Sequence, residues 1–169
     1  MKRHSALVPL SREHHTALFL ALRIEREVPE GDLDGINAVY ADLIGFWARG
    51  LLPHFRAEGE CLLARLVRHV PKDDPIVNRF HRDHLAIEAL VARMRDVHDL
   101  TDRRAALQEF AAELRSHIRW EEDVLFEKTQ ASLSDEELAS LGKDVVERVG
   151  DGETGAEDVW PAMMKGRRG

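Results

Sequence analysis

A chain of 169 residues, 44% hydrophobic and 33% charged, has a globular balance and enough material for one core but not for two. Its 24 Lys and Arg against 31 Asp and Glu leave a formal charge of −7, which argues against nucleic-acid binding, since a phosphate backbone wants a basic face. The single cysteine, Cys61, excludes an internal disulfide, and neither a membrane span nor a signal peptide is legible, so the expected location is cytoplasmic.

Leucine and alanine supply 21 and 19 residues, and β-branched residues never gather into alternating runs, so the chain reads as all-α. Punctuation divides it into five helices. Ser11 caps a first helix to about Val28, before Pro29 and Gly31. Asp32 or Asp34 opens a second, reaching about Val70, with Gly50 and Pro53 predicting a bend in its middle. Asp74 followed by Pro75 opens a third, to about Val97. Thr101 and Asp102 open a fourth, ending near Gln130. Ser134 and Glu137 have the form of a capping box, and Leu138, Leu141, Val145 and Val149 follow at helical spacing. Residues 1–150 therefore read as one domain, an antiparallel four-helix bundle with an additional C-terminal helix. Residues 151–169 read as a flexible tail, tacked down by Trp160.

The nine histidines carry the functional signal. His54-Phe-Arg-Ala-Glu58 and His117-Ile-Arg-Trp-Glu121 share the form His-apolar-Arg-x-Glu. Each continues with an acid (Glu60, Asp123), an apolar residue (Cys61, Val124) and a leucine (Leu62, Leu125). Arg12-Glu-His14 likewise matches Arg82-Asp-His84. The order, a lone histidine and then His-x-x-x-Glu, occurs twice, as in a duplicated helical hairpin.

Helix geometry turns this spacing into a site. Positions i and i+4 lie roughly 40° apart around the axis, so each His-x-x-x-Glu pair points one way. That way is inward: Leu43, Trp47, Leu51 and Cys61 share the face of His54, and Phe110, Leu114 and Val124 that of His117. Ala17, Leu18, Ala21, Ile24 and Val28 share the stripe of His14, and Ile87, Val91 and Met94 that of His84. Burying four imidazoles and two carboxylates without partners costs several kcal/mol per ionised group. A metal pair offsets that cost, with imidazoles as terminal ligands and carboxylates as bridges, and mixed ligation favours iron, manganese or zinc over calcium and magnesium. The plainer alternative, six groups merely hydrogen-bonded across the bundle, fits the duplicated pattern less well.

The remaining candidates carry less. His15 lies at the edge of the first stripe, and His81 one turn before His84; both are candidate additional ligands, with second-shell or solvent roles preferred. His4, His69 and His98 read as surface residues, Cys61, Tyr40 and Trp47 as core. Gly59, between two glutamates inside a helix, has no local explanation. No zinc-protease helix, phosphate loop or nucleophile elbow is present.

The doubled His-x-x-x-Glu with two lone histidines resembles the hemerythrin-like (HHE cation-binding) domains, over about residues 10–130. The resemblance implies two non-haem iron ions held by His14, His54, His84 and His117 and bridged by Glu58 and Glu121. It lies nearer to bacterial iron–sulfur-cluster repair and iron-sensing domains than to oxygen carriers. The carriers have a further histidine where this chain has Phe80, and an aspartate where it has Glu122. The repair proteins' cysteine-bearing N-terminal segment has no counterpart in this sequence. The implied function is binding or sensing of O2, NO or iron and redox state, with peroxide as a further candidate ligand. Alternatives are iron donation in iron–sulfur repair, a peroxide-removing enzyme, or a structural bundle with an empty site.

Overall fold

In a computed structural model describing residues 2–97 and 99–150, every regular element among the described residues is helical. His98, Trp160 and the segment 151–169, each the subject of an expectation above, lie outside the described residues. Helix α1 spans Val8–Glu27. The second rod, α2, begins as Leu33–Phe46 and runs on through π-helical Trp47–Leu51, α-helical Leu52–Ala57, π-helical Glu58–Leu63 and Ala64–Leu66. Helix α3 is Pro75–Asp96. The fourth rod, α4, joins Leu100–Trp120, a π-helical Glu121–Leu125 and Phe126–Ser132, and α5 is Asp135–Val149.

The caps explain the boundaries. Asp32 accepts from the Gly35 N–H, Asp74 from that of Ile76 with Pro75 at the first helical position, and Ser134 and Glu137 close a full capping box. Three expected boundaries differ. Helix α1 starts before Ser11 because Pro9 fits the first turn, where its missing N–H has no partner to lose. A 3-10 turn, Ser5–Leu7, leads into it, and His4 caps that turn by accepting from the Ala6 N–H at 3.2 Å, so His4 is more than a surface residue. Helix α4 is capped by Asp99 rather than Thr101 or Asp102, and it continues to Ser132 past Gln130. The second rod ends at Leu66, short of Val70.

The bend expected near Pro53 takes the form of a widened turn, in which the Leu52 N–H reaches back five residues to the Trp47 carbonyl. The same widening recurs right after each motif glutamate: Ala64 N–H donates to Gly59 O, and Phe126 N–H to Glu121 O. One extra residue per turn shifts the inward face by one position. Leu62, Leu63 and Leu66 are therefore buried after Glu58, and Leu125, Phe126 and Thr129 after Glu121. This corrects the expectation for Val124, which is 40% exposed while Leu125 takes the interior place. Cys61 is buried as expected.

Apolar packing falls into two clusters. One gathers Leu20 and Ile24 of α1, Leu43 and Phe46 of α2, Ile87 and Met94 of α3, and Phe110 and Leu114 of α4. The other gathers Leu7 and Leu10, Leu62 and Leu66, Phe80, Leu125 and Phe126 with Leu138, Leu141 and Val145 of α5. In every one of the four bundle rods the motif histidine falls at the junction of the two clusters: His14 between Leu10 and Ala17, His84 between Phe80 and Ile87. Helix α5 closes the second cluster together with the Ser5–Leu7 turn. The approach is tight at Gly142, where a Cβ would lie 3.0 Å from Ala6 Cα. Gly150, at φ 79°, ends α5 in the left-handed region that favours glycine. No helix of the described residues is long and apolar enough to cross a membrane.

Candidate metal centre

Four rods deliver six side chains to one buried layer. His14 comes from α1, His54 and Glu58 from α2, His84 from α3, and His117 and Glu121 from α4; all six are buried. Their donor atoms form two groups of four: His14, His54, Glu58 and Glu121, and Glu58, His84, His117 and Glu121. Both carboxylates belong to both groups, and their oxygens divide between them. Glu58 Oε1 lies 3.1 Å from His54 Nε2 and 3.6 Å from His14 Nε2, while its Oε2 lies 3.4 Å from His84 Nε2. Glu121 Oε2 lies 3.2 Å from His14 Nε2, while its Oε1 lies 3.2 Å from His117 Nε2 and 3.7 Å from His84 Nε2. His14 and His54 bring their Nε2 atoms to 3.1 Å of each other.

The polar accounting of this layer calls for a cation. Among the described residues, all four oxygens of Glu58 and Glu121 are buried without a hydrogen-bond partner, as are Nε2 of His84 and of His117. Buried carboxylates left so are costly, and native proteins almost always satisfy them. Imidazole nitrogens and carboxylate oxygens converging in two sets that share both carboxylates could hold metal ions. The six residues therefore fit a metal site.

Without metal, the six groups charge one another. Burial alone would push the imidazoles down; the Glu58 carboxylate holds His54 up at about 9, and that of Glu121 does the same for His117, at about 9. His14 and His84 are raised as well, against burial, by Glu121 and its neighbours. Burial would raise Glu58 and Glu121, and the surrounding imidazoles instead hold both below the ordinary carboxylate range.

Outer carboxylates orient some of these rings. His14 Nδ1 meets Glu122 Oε1 at 2.6 Å, and His54 Nδ1 meets Glu13 Oε2 at 2.8 Å. Asp83 approaches His117 Nδ1 only to 3.8 Å, being bound instead by Arg79 and Arg82. Glu13 and Asp83 are the acids of the two Arg-acid-His repeats, so the signal for them stood in the sequence. Each faces the histidine of a different rod, Glu13 bonding to His54 and Asp83 standing off from His117. Aromatic rings wall the layer: Phe126 stacks on His14, and Phe55 and Phe80 each lie 4.0 Å from His84.

His15 and His81 are exposed and belong to neither group, because each is rotated off its helix's inward stripe. His69 sits at the surface, 2.9 Å from Glu137. Tyr40 is half-buried beneath the Arg103 guanidinium, and Trp47 packs edge-on against Phe55.

A family model described as the hemerythrin HHE cation binding domain matches residues 7–129. No curated protein and no solved structure matches the chain.

Proposed function

Because the chain belongs to the hemerythrin HHE cation-binding family, we propose that it holds a pair of non-haem iron ions and binds a small diatomic ligand, O2 or NO. The observation that carries this reading is the sharing of both buried carboxylates by two histidine pairs. His14 and His54 would hold one ion, His84 and His117 the other, with Glu58 and Glu121 common to both. When bound, the ions supply the electrons and the coordination position that a diatomic ligand requires.

The chain's own residues do the rest. Glu122 and Glu13 accept the Nδ1 protons of His14 and His54, leaving each Nε2 free to face inward. Phe126 covers a face of His14, and Phe55 and Phe80 cover His84, so apolar rings limit how much of either imidazole meets solvent. A cleft of about 450 Å³ between α2 and α3, bordered by Leu52, Phe55 and Val91 and by the charged Arg56, Glu88 and Arg95, reaches His84 and would give a small ligand a path.

Anaerobic reconstitution with Fe²⁺ tests the proposal. Two iron ions per chain and a stable spectral change on adding O2 or NO are expected. Sustained peroxide consumption in the presence of a reductant would move the protein to the enzyme class. Transfer of iron to a cluster-depleted iron–sulfur protein would favour the repair reading, and failure to load any metal would leave a structural bundle.

A further inference from the structure

The two halves of the centre are built from one repeat, and they differ where the repeat is broken. An offset of 63 residues carries His54, Glu58, Leu62 and Leu63 onto His117, Glu121, Leu125 and Phe126. An offset of 70 carries Glu13 and His14 onto Asp83 and His84. The first offset also carries Gly59 onto Glu122, the outer partner of His14. The second half therefore has a hydrogen atom where the first has a carboxylate.

The space for that missing group is open. A Cβ built at Gly59 meets no atom within 4 Å. Among the described residues, the carboxylates within 4 Å of His84 are Glu58 and Glu121, the shared pair, with none outside it. The second outer contact is weakened as well. Glu13 accepts from His54 at 2.8 Å, whereas its counterpart Asp83 stands 3.8 Å from His117, whose Nδ1 has no hydrogen-bond partner among the described residues. Asp83 is drawn away by two guanidinium groups, Arg79 at 3.2 Å and Arg82 at 2.7 Å. Two outer carboxylates thus orient the first histidine pair, and none lies within hydrogen-bonding distance of the second. His84 is also the most solvent-accessible of the six, at 7%.

Outer partners of this kind fix the ring orientation, strengthen the imidazole as a donor, and typically change metal affinity about 10- to 100-fold. We infer that the two metal positions are unequal: the ion at His14 and His54 is retained, and the ion at His84 and His117 is the exchangeable one, by at least about tenfold. Gly59 is then the residue that sets the weaker affinity. This inference rests on the metal-pair reading above.

Stepwise titration of the metal-free full-length chain with Zn²⁺, against a chelator of known affinity, tests it. Two steps alone do not decide, since two cations sharing carboxylates repel each other even in a symmetric site. The variants do. Glu122→Gln and Glu13→Gln should each weaken the tight step by about tenfold and spare the weak one. Gly59→Glu should tighten the weak step by a similar factor and spare the tight one. Arg3 pairs with Glu122 and Glu127 while Glu13 pairs with His54, so agreement between Glu13→Gln and Glu122→Gln argues against an effect through the Arg3–Glu122 ion pair. Far-ultraviolet circular dichroism confirms that each variant is folded. Glu122→Gln and Glu13→Gln acting on the weak step, or on both steps equally, would overturn the assignment while leaving the metal pair standing. A chain that binds no Zn²⁺, Fe²⁺ or Mn²⁺ at all would instead overturn the reading on which it rests.

Discussion

Loading the centre should expel protons, and the number is set by the charges inside the bundle. His54 and His117 are held at about 9 in the metal-free protein. At pH 7 both rings are then about 99% protonated. Only neutral imidazole ligates, so filling both positions should release about two protons from this pair alone. His14 and His84, also raised, bring the expected total to between two and four. Four imidazoles with ordinary values near 6.5 would release only about one. Calorimetric Zn²⁺ titrations in buffers of different ionisation enthalpy count these protons directly. A count of one or fewer at pH 7 would refute the charged metal-free layer. The same charges fix the pH dependence of stability. Each imidazole raised from 6.5 to about 9 contributes about 3 kcal/mol to the metal-free fold. That contribution is complete below pH 6.5 and is lost as the pH climbs through 9. The lowered carboxylates add stability above about 4.5 that is lost on acidification below it. Metal-free protein should therefore melt highest between about pH 4.5 and 6.5, whereas metal-loaded protein should lose its ions as the pH falls.

Three further outcomes follow from named contacts. His14→Ala should lose most of its metal and His15→Ala keep nearly all of it, as measured by metal per chain after reconstitution; the reverse would mean that α1 is rotated by about 100° from its observed setting. Leu125→Ala should cost about 2–5 kcal/mol in denaturant unfolding, while Val124→Ala should cost under about 1, and equal losses would argue against the π-helical shift after Glu121. Gly142→Ala should destabilise the fold by about 1–3 kcal/mol, because its Cβ would press on the Ala6 backbone; a rise in melting temperature would show that helix propensity outweighs that contact.

Most of the centre was legible because charged and polar residues stood out inside apolar stripes. His14, His54, His84 and His117 each interrupt a helical run of hydrophobic residues, and Glu58 and Glu121 follow two of them at i+4. The outer carboxylates were harder. Glu13 and Asp83 were visible as members of a repeat, but their partners lie on other rods, and spacing along one helix says nothing of a neighbour. Gly50 and Pro53 marked the first π-helical turn as a bend, but the turns after Glu58 and Glu121 were not foreseen. Only their consequence, burial of Leu125 in place of Val124, shows the shifted face. The start of α1 was misplaced because Ser11 is a good cap, whereas the actual entry uses Pro9 and an imidazole, His4, that rarely caps. Gly59 gained meaning only when Glu122 was seen against His14, since the reason for a glycine there lies in the other half of the repeat.

The polar layer also divides the molecule mechanically. With the two apolar clusters meeting at mid-height, the bundle resembles two short barrels set end to end, each with its own hydrophobic seal. Helix α5 contributes its buried residues to one of them and none to the packing around Phe110 and Met94. A pair of ions at the junction would act as a cross-brace, tying all four rods at one level. Amide exchange should then slow on both sides of the junction when metal binds, and the two halves should open together rather than in turn.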